Sequence, residues 1–116
     1  MTFNEYQKKA HITSSTTSSI EMCVLGLCGE SGEVADIVKK HKYHGHILPD
    51  GKLYEELGDV LWYIAEMATT LGVLLEDIVL MNIRKLQKRY PEGFSSERSI
   101  NRVRILEAEL PKEKQC

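Results

Sequence analysis

Apolar side chains recur at helical spacing along most of the chain, and this pattern predicts a series of amphipathic helices. A short first helix covers Phe3–His11, and a polar segment at Thr13–Ser19 interrupts the pattern. A long second helix follows and extends to about Tyr43. Ser18 and Glu21 have the spacing of a capping box at its start.

Two further helices are predicted in the middle of the chain. A loop with helix-breaking residues occupies His44–Gly51, where Asp50 is placed to cap the third helix. The third helix ends at Gly72, and the fourth extends from about Leu74 to Tyr90. Strand-like alternation is almost absent, so the pattern predicts an all-α, four-helix-bundle-like fold.

The helical pattern also predicts the domain organisation and the assembly. Residues 1–94 form one domain, and the polar residues 95–116 form a tail that is partly helical or mobile. The third and fourth helices are apolar on more than one side, and such helices are buried nearly all round. Because a chain of 116 residues supplies little cover of its own, we expect a homo-oligomer, at least a dimer.

Composition narrows the class of protein further. The net charge of -2 excludes a strongly basic nucleic-acid binder as the default. Acidic residues interrupt the longest apolar region, so no membrane span is expected, and the polar start of the chain has no secretory signal. Three cysteines without Cys-x-x-Cys spacing indicate reduced thiols in a cytoplasmic protein, with Cys23 and Cys28 as small buried side chains.

Two pairs of acidic residues interrupt apolar helix faces. Glu30 and Glu33 lie three apart on the second helix, and Glu56 and Asp59 repeat this spacing on the third. Each pair alone is more often ordinary solvated surface. Converging between two packed helices, the four carboxylates would repel each other, at a cost of several kcal/mol per ion. A hard divalent cation, Mg²⁺ or Mn²⁺, offsets that repulsion and is typical of phosphate-handling sites.

Polar side chains on the fourth helix could bind the phosphates that such a metal would also contact. Asn82, Lys85 and Arg89 share one face, from which the two cations can reach phosphate oxygens. Alternatively, Asn82 is a core residue whose amide is fully hydrogen-bonded, and Lys85 and Arg89 are ordinary charged residues on a solvated helix face. Trp62 is a core or interface residue, or less often a shelf on which a nucleobase stacks.

Three glycines, Gly26, Gly29 and Gly32, recur in the second helix beside its acidic pair. Each weakens the helix by about 0.5–1 kcal/mol relative to alanine. We therefore expect close approach of another helix or of a ligand at these positions.

Three segments together resemble a known family: "GLCGESGEVADIVKKHKYHGH", "EELGDVLWYIAEMATTLGV" and "NIRKLQKRYPEGF". They are similar to the MazG-like nucleotide pyrophosphohydrolases of the all-α NTP pyrophosphatase superfamily. The family pattern is E-x-x-E, a variable spacer and E-x-x-D, followed by N-x-x-K-x-x-x-R-Y-P. Its counterparts here are the four acids, then Asn82, Lys85, Arg89, Tyr90 and Pro91.

The resemblance implies an activity with assigned residues. It implies hydrolysis of a nucleoside triphosphate, often a dNTP, to the monophosphate and pyrophosphate, with Mg²⁺ (or Mn²⁺) held by the four acids. Either Glu30 or Glu33 would act as general base, and Asn82, Lys85, Arg89 and Tyr90 would bind the substrate phosphates. His11 and Trp62 are expected to contact the nucleobase of the substrate.

The resemblance also implies a homodimer or homotetramer (dimer of dimers) with sites near subunit interfaces. The net charge and the interrupted apolar region predict no nucleic-acid or membrane partner. The alternative is a catalytically silent nucleotide-binding or helical oligomerisation module.

The spacing of the acids sets a geometric condition on this site. Glu33 lies about 15 Å from the expected end of its helix, whereas Glu56 lies only about 6 Å into the next. For the two pairs to meet, the second helix must end early or the loop must fold back alongside it.

Overall fold

The computed structural model describes residues 1–109, with side chains described as far as Arg102. This part of the chain contains five α-helices and no β-strand, which confirms the all-α prediction. None of its helices is both long enough and apolar enough to cross a bilayer. The helices are α1 (Phe3–Ile12), α2 (Ile20–His44), α3 (Asp50–Thr70), α4 (Leu75–Arg89) and α5 (Ser96–Glu109).

The predicted helix ends agree with the structure to within a few residues, but two predicted caps are wrong. Ser19, and not Ser18, caps α2, because its side chain accepts a hydrogen bond of 3.2 Å from the Met22 backbone N–H. Asp50 is the first residue of α3, so it follows the N-cap position, which Pro49 occupies without a side-chain hydrogen bond.

The described chain forms two compact units that divide within α4, at residues 78 and 79. In the first unit, α3 is central, and both α1 and α2 pack against it. Its core contains Ala10, Ala65 and Leu75, with Tyr6 and Trp62 among the partly buried side chains that cover them. Cys23 is also fully buried, whereas Cys28 is exposed, so the expectation of two buried thiols holds only for Cys23.

A buried glutamine fixes the turn between α3 and α4. The Gln7 side-chain amide donates to the carbonyl of Val73 at 2.9 Å, and its oxygen accepts from the Leu75 N–H at 2.7 Å. Gly72 adopts a left-handed conformation (φ 72°) just after α3, as a helix-ending glycine does. This clamp attaches α1 to the chain segment that follows α3.

The second unit contains most of α4, a tight turn and α5. Pro91 follows α4, and Gly93 has a positive φ of 91° in the turn. The rings of Tyr90 and Phe94 pack with their centroids 5.5 Å apart. In this structure α5 occupies the part of the predicted tail that shows a faint helical pattern.

The α2–α3 hairpin meets the geometric condition for Glu30, which reaches Glu56 and Asp59, but not for Glu33. The His46 N–H donates to the Lys40 carbonyl at 3.2 Å around the left-handed Gly45, so the chain turns sharply where α2 ends. Glu30 lies 14 residues before the end of α2, whereas Glu56 lies six residues after the start of α3. That offset of eight residues is about 12 Å, and five extended loop residues span up to about 17 Å.

Close approach of α3 occurs at one of the three glycines of α2. The ring of Tyr63 lies against Gly26, so that an added Cβ would overlap the ring carbons, whereas Gly29 and Gly32 face open space in the single chain. Trp62 packs edge-on against Tyr63, with centroids 4.9 Å apart, which restricts movement of the Tyr63 ring. The expectation of close packing is therefore confirmed at Gly26 alone.

Gly26→Ala should destabilise the protein, whereas Gly29→Ala should not. Overpacking at residue 26 is expected to lower the free energy of unfolding by about 1–3 kcal/mol. At residue 29 the added methyl group meets nothing, and the gain in helix propensity is about 0.5–1 kcal/mol. Urea denaturation of both variants measures the difference.

A Tyr63→Ala background provides the control for this prediction. Without the ring, Gly26→Ala should lose most of its cost, which a double-mutant cycle would detect. Equal effects of the alanine substitutions at residues 26 and 29 would contradict the packing argument.

Candidate metal centre

The antiparallel packing of α2 and α3 brings together three of the four predicted acids. Glu56 and Asp59 share a face of α3 because they lie three residues apart, and Glu30 lies opposite them on α2. One carboxylate oxygen from each of these residues lies within 4.8 Å of the other two. The group therefore offers three oxygen ligands from two helices to a single ion.

Repulsion and burial act on this group in the absence of a cation. Glu56 is buried with 5% of its surface exposed, Glu30 is half-buried, and Asp59 is exposed. Loss of hydration raises the pKa of Glu30, and the hydrogen bond with Glu56 and the negative charge of Asp59 raise it further. Glu30 therefore keeps its proton to a higher pH than an ordinary carboxyl group does.

A lysine from the first turn of α3 contacts the buried acid of the group. Lys52 Nζ lies 2.6 Å from Glu56 Oε1. This hydrogen bond is the main reason that the pKa of Glu56 is lowered, against the opposing effect of burial. Glu56 is consequently ionised under conditions in which Glu30 retains a proton.

Glu33, the remaining predicted acid, is exposed one turn after Glu30 on α2. Its carboxylate is not part of the group within 4.8 Å. Its charge makes a small contribution to the raised pKa of Glu30, so the two side chains still act on each other. Three of the four carboxylates thus meet in this structure, and Glu33 lies beside them.

Comparison with known proteins decides the family. The family model of the MazG nucleotide pyrophosphohydrolase domain matches residues 18–94, which include all four acids. This chain belongs to the MazG family. The matched segment begins at the loop before α2 and ends after α4, so α1 lies outside it.

Two relatives are similar to part of the chain. The chain is 42% identical over 73 residues to the Gene 37 protein of Mycobacterium phage L5, covering 60% of this chain and 64% of the phage protein. It is 38% identical over 74 residues to the uncharacterized protein YvdC of Bacillus subtilis (strain 168), covering 55% and 69% respectively. The chain thus spans less than two thirds of the phage relative's length. No solved structure matches.

The second unit contains the polar residues of the MazG-like motif on α4. Asn82 and Lys85 are exposed, so the Asn82 amide is not a buried core group in this unit. The Arg89 guanidinium lies 5.9 Å from the centroid of the Tyr90 ring, and both residues are partly buried. Their role in binding phosphate stays a prediction.

His11 and Trp62 are the residues predicted to contact the nucleobase. Polar contacts within the first unit orient both side chains. His11 Nδ1 lies 3.2 Å from both carboxylate oxygens of Glu66. The Trp62 indole N–H donates to Thr13 Oγ1 at 2.8 Å. Each ring is therefore held by a neighbour from another helix or loop, while 56% of the His11 side chain stays exposed.

Glu66 is the residue of this region that the sequence pattern does not reveal. Its side chain is 1% exposed, and it accepts a 2.7 Å hydrogen bond from Ser14 Oγ in addition to the contact with His11. Burial alone would raise the pKa of Glu66, but the hydrogen bonds from Ser14 and His11 outweigh it and lower the pKa. Its position two turns after Asp59 on the same face of α3 was the available signal.

Glu66→Gln should lower the free energy of unfolding and reduce the dependence of that free energy on pH. A group whose pKa is lowered on folding stabilises the folded state above its ordinary value of 4.5, and that contribution is lost as the pH falls through the folded pKa. We expect a loss of about 1–3 kcal/mol in unfolding free energy near pH 7, because buried donors lose their ionised partner. Urea titrations at several pH values measure both effects.

Glu55→Gln is the matched control, since Glu55 lies on the same helix with 71% of its side chain exposed. This variant should keep the stability of the wild type and its dependence on pH. A Glu66→Gln protein as stable as the Glu55→Gln protein at pH 7 would show that the buried network contributes nothing.

Proposed function

We propose that this chain hydrolyses a nucleoside triphosphate, with a dNTP as the expected substrate, to the nucleoside monophosphate and pyrophosphate in the presence of Mg²⁺. The observation that carries the proposal is the group of three carboxylates within 4.8 Å of one another, between two helices of the MazG segment. Membership of the MazG family supports a nucleotide pyrophosphohydrolase, and the dNTP substrate and Mg²⁺ are our inference.

The donor set fits a hard divalent cation. Carboxylate oxygens suit Mg²⁺ or Mn²⁺ better than they suit zinc or copper. Glu30, Glu56 and Asp59 would hold the ion, with Glu33 close to the same site. The bound ion would neutralise phosphate charge and activate the attacking water.

Glu33 is the better of the two proposed general bases. It is exposed and stands outside the group of three carboxylates, so its oxygens are free to accept a proton from the attacking water. Glu30, the alternative, belongs to that group, so its carboxylate oxygens would be engaged by the bound cation. Lys85 and Arg89, assisted by Asn82 and Tyr90, would bind the phosphates.

The base end of the substrate is proposed to lie at His11 and Trp62. Glu66 accepts at His11 Nδ1, so this nitrogen carries the hydrogen and the other ring nitrogen is left for a ligand. Trp62 is partly buried and fixed by Thr13, and its ring can present an apolar face to a flat ligand. These contacts support a role for α1 in recognition beyond the matched MazG segment.

Assembly into a homodimer or homotetramer is part of the proposal. Only five hydrophobic residues are buried among the side chains that the structure describes. Large apolar side chains remain exposed in mid-helix, such as Leu25 (73%) on α2 and Leu57 (49%) on α3. A second copy of the chain is the occupant that would cover these faces.

Turnover and its products test the proposed reaction. Incubation with a panel of NTPs and dNTPs plus Mg²⁺ should release the monophosphate and pyrophosphate, as chromatography would show. Glu33→Gln and Glu56→Gln should each reduce turnover by about 100-fold or more, the usual contribution of a general base or a metal ligand. Their far-ultraviolet circular dichroism should match that of the wild type.

Glu55→Gln is again the matched control, because Glu55 adjoins Glu56, has 71% of its side chain exposed and lies outside the group of three carboxylates, although it contacts Lys52 Nζ at 3.7 Å. It should retain full turnover. Release of orthophosphate and a nucleoside diphosphate would reject the proposed reaction, and nucleotide binding without turnover would favour the silent module.

The assembly is tested separately by multi-angle light scattering. At micromolar concentration, the measured mass should be that of a dimer or a tetramer of the 13.2 kDa chain. The physical reason is the apolar surface that a single copy leaves in water. A monomer at this concentration would contradict the proposed assembly without affecting the assignment of the acids.

A further inference from the structure

The stability of its own helix gives only a weak reason for the position of Lys52, which contacts Glu55 at 3.7 Å as well as Glu56. It lies in the first turn of α3, where the positive end of the helix dipole disfavours a cation. It also precedes its partner Glu56 by four residues, and this order of charges is the weaker one for a helical ion pair. Despite this, Lys52 Nζ lies only 2.6 Å from Glu56 Oε1.

The charge balance of the metal centre gives Lys52 a role. Glu30, Glu56 and Asp59 bring three carboxyl groups within 4.8 Å, and Glu56 is almost fully buried. In the described part of the chain, Lys52 is the cation that forms an ion pair with a member of this group. The lysines near the end of α2 pair with a different acid, as Lys39 does with Asp36 at 2.7 Å.

We propose that Lys52 is a built-in counter-ion of the metal-free centre and competes with the divalent cation for the Glu56 carboxylate. This inference rests on the proposed function, because it needs a metal at Glu30, Glu56 and Asp59. The Lys52 side chain is 56% exposed, so its ammonium group can leave Glu56 for water when the ion enters. Lys52 thereby stabilises the empty centre and weakens its affinity for the metal.

Direct titration with Mn²⁺ tests this competition without any measurement of activity. Electron paramagnetic resonance reports free Mn²⁺, and the nucleotide is left out. Lys52→Met should bind Mn²⁺ about tenfold more tightly than the wild type, because a positive charge a few ångströms from the ion is removed. Lys52→Arg keeps the charge and should stay close to the wild-type affinity.

Lys39→Met is the matched control, since it removes the same charge from a lysine whose ion pair, among the side chains that the structure describes, is with Asp36. It should bind Mn²⁺ as the wild type does. In a second measurement without metal, Lys52→Met should melt at a lower temperature than Lys39→Met, because carboxylate repulsion is no longer offset. Added Mn²⁺ should then raise its melting temperature by more than it raises that of the wild type. Lys52→Gln is a second neutral variant should the methionine variant not fold.

The outcomes separate this inference from the proposed enzyme. If the wild type hydrolyses its substrate but Lys52→Met binds Mn²⁺ no more tightly, the competition is disproved and the enzyme stands. Weaker binding by Lys52→Met also overturns it, since Lys52 would then help the metal. Tighter binding by a protein that hydrolyses no nucleotide would uphold the competition and reject the enzyme. If no variant binds Mn²⁺, both proposals fail.

Discussion

The mutual repulsion of three carboxyl groups, held together by the packing of α2 against α3, is the constraint on which the site depends. Glu30, Glu56 and Asp59 meet because α2 and α3 are antiparallel and because the five-residue loop between them is long enough to cover the offset between the acids. Close packing of Tyr63 on Gly26, one turn from the acids on each helix, fixes the distance between the helices. The packing energy of the hairpin therefore maintains an arrangement of charges that would separate in free solution.

The two buried acids of α3 show how differently the same fold treats a carboxylate. Glu66 accepts hydrogen bonds from donors on α1 and on the following loop, and these bonds compensate its buried negative charge. Glu56 has one cationic partner, Lys52, and faces Glu30, whose pKa is raised by burial and by the neighbouring acids. The first arrangement is closed and needs no ion, whereas the second retains uncompensated negative charge. This difference, more than burial alone, distinguishes the candidate metal centre from a structural ion pair.

The helices could be predicted because apolar spacing, prolines and glycines act locally. Gly72 ends α3 as expected, since its left-handed conformation depends on a few neighbouring residues. The cap of α2 could not be assigned, because Ser18 and Ser19 are the same residue type and only the structure shows that Ser19 accepts the hydrogen bond. Spacing of three residues placed each acidic pair on a helix face, but it could not give the register between helices. That register brings Glu30, and not Glu33, to Glu56 and Asp59.

Within the first unit, the single helix α3 connects the regions proposed to bind the two ends of the substrate. Asp59 and Glu66 lie two turns apart on the same face of α3, about 10 Å along its axis. Asp59 belongs to the metal centre, and Glu66 holds His11 from α1, which the MazG match does not include. An elongated ligand lying along α3 could therefore contact both groups at once. The candidate metal centre therefore lies within the segment that the MazG model matches, whereas His11 lies before that segment.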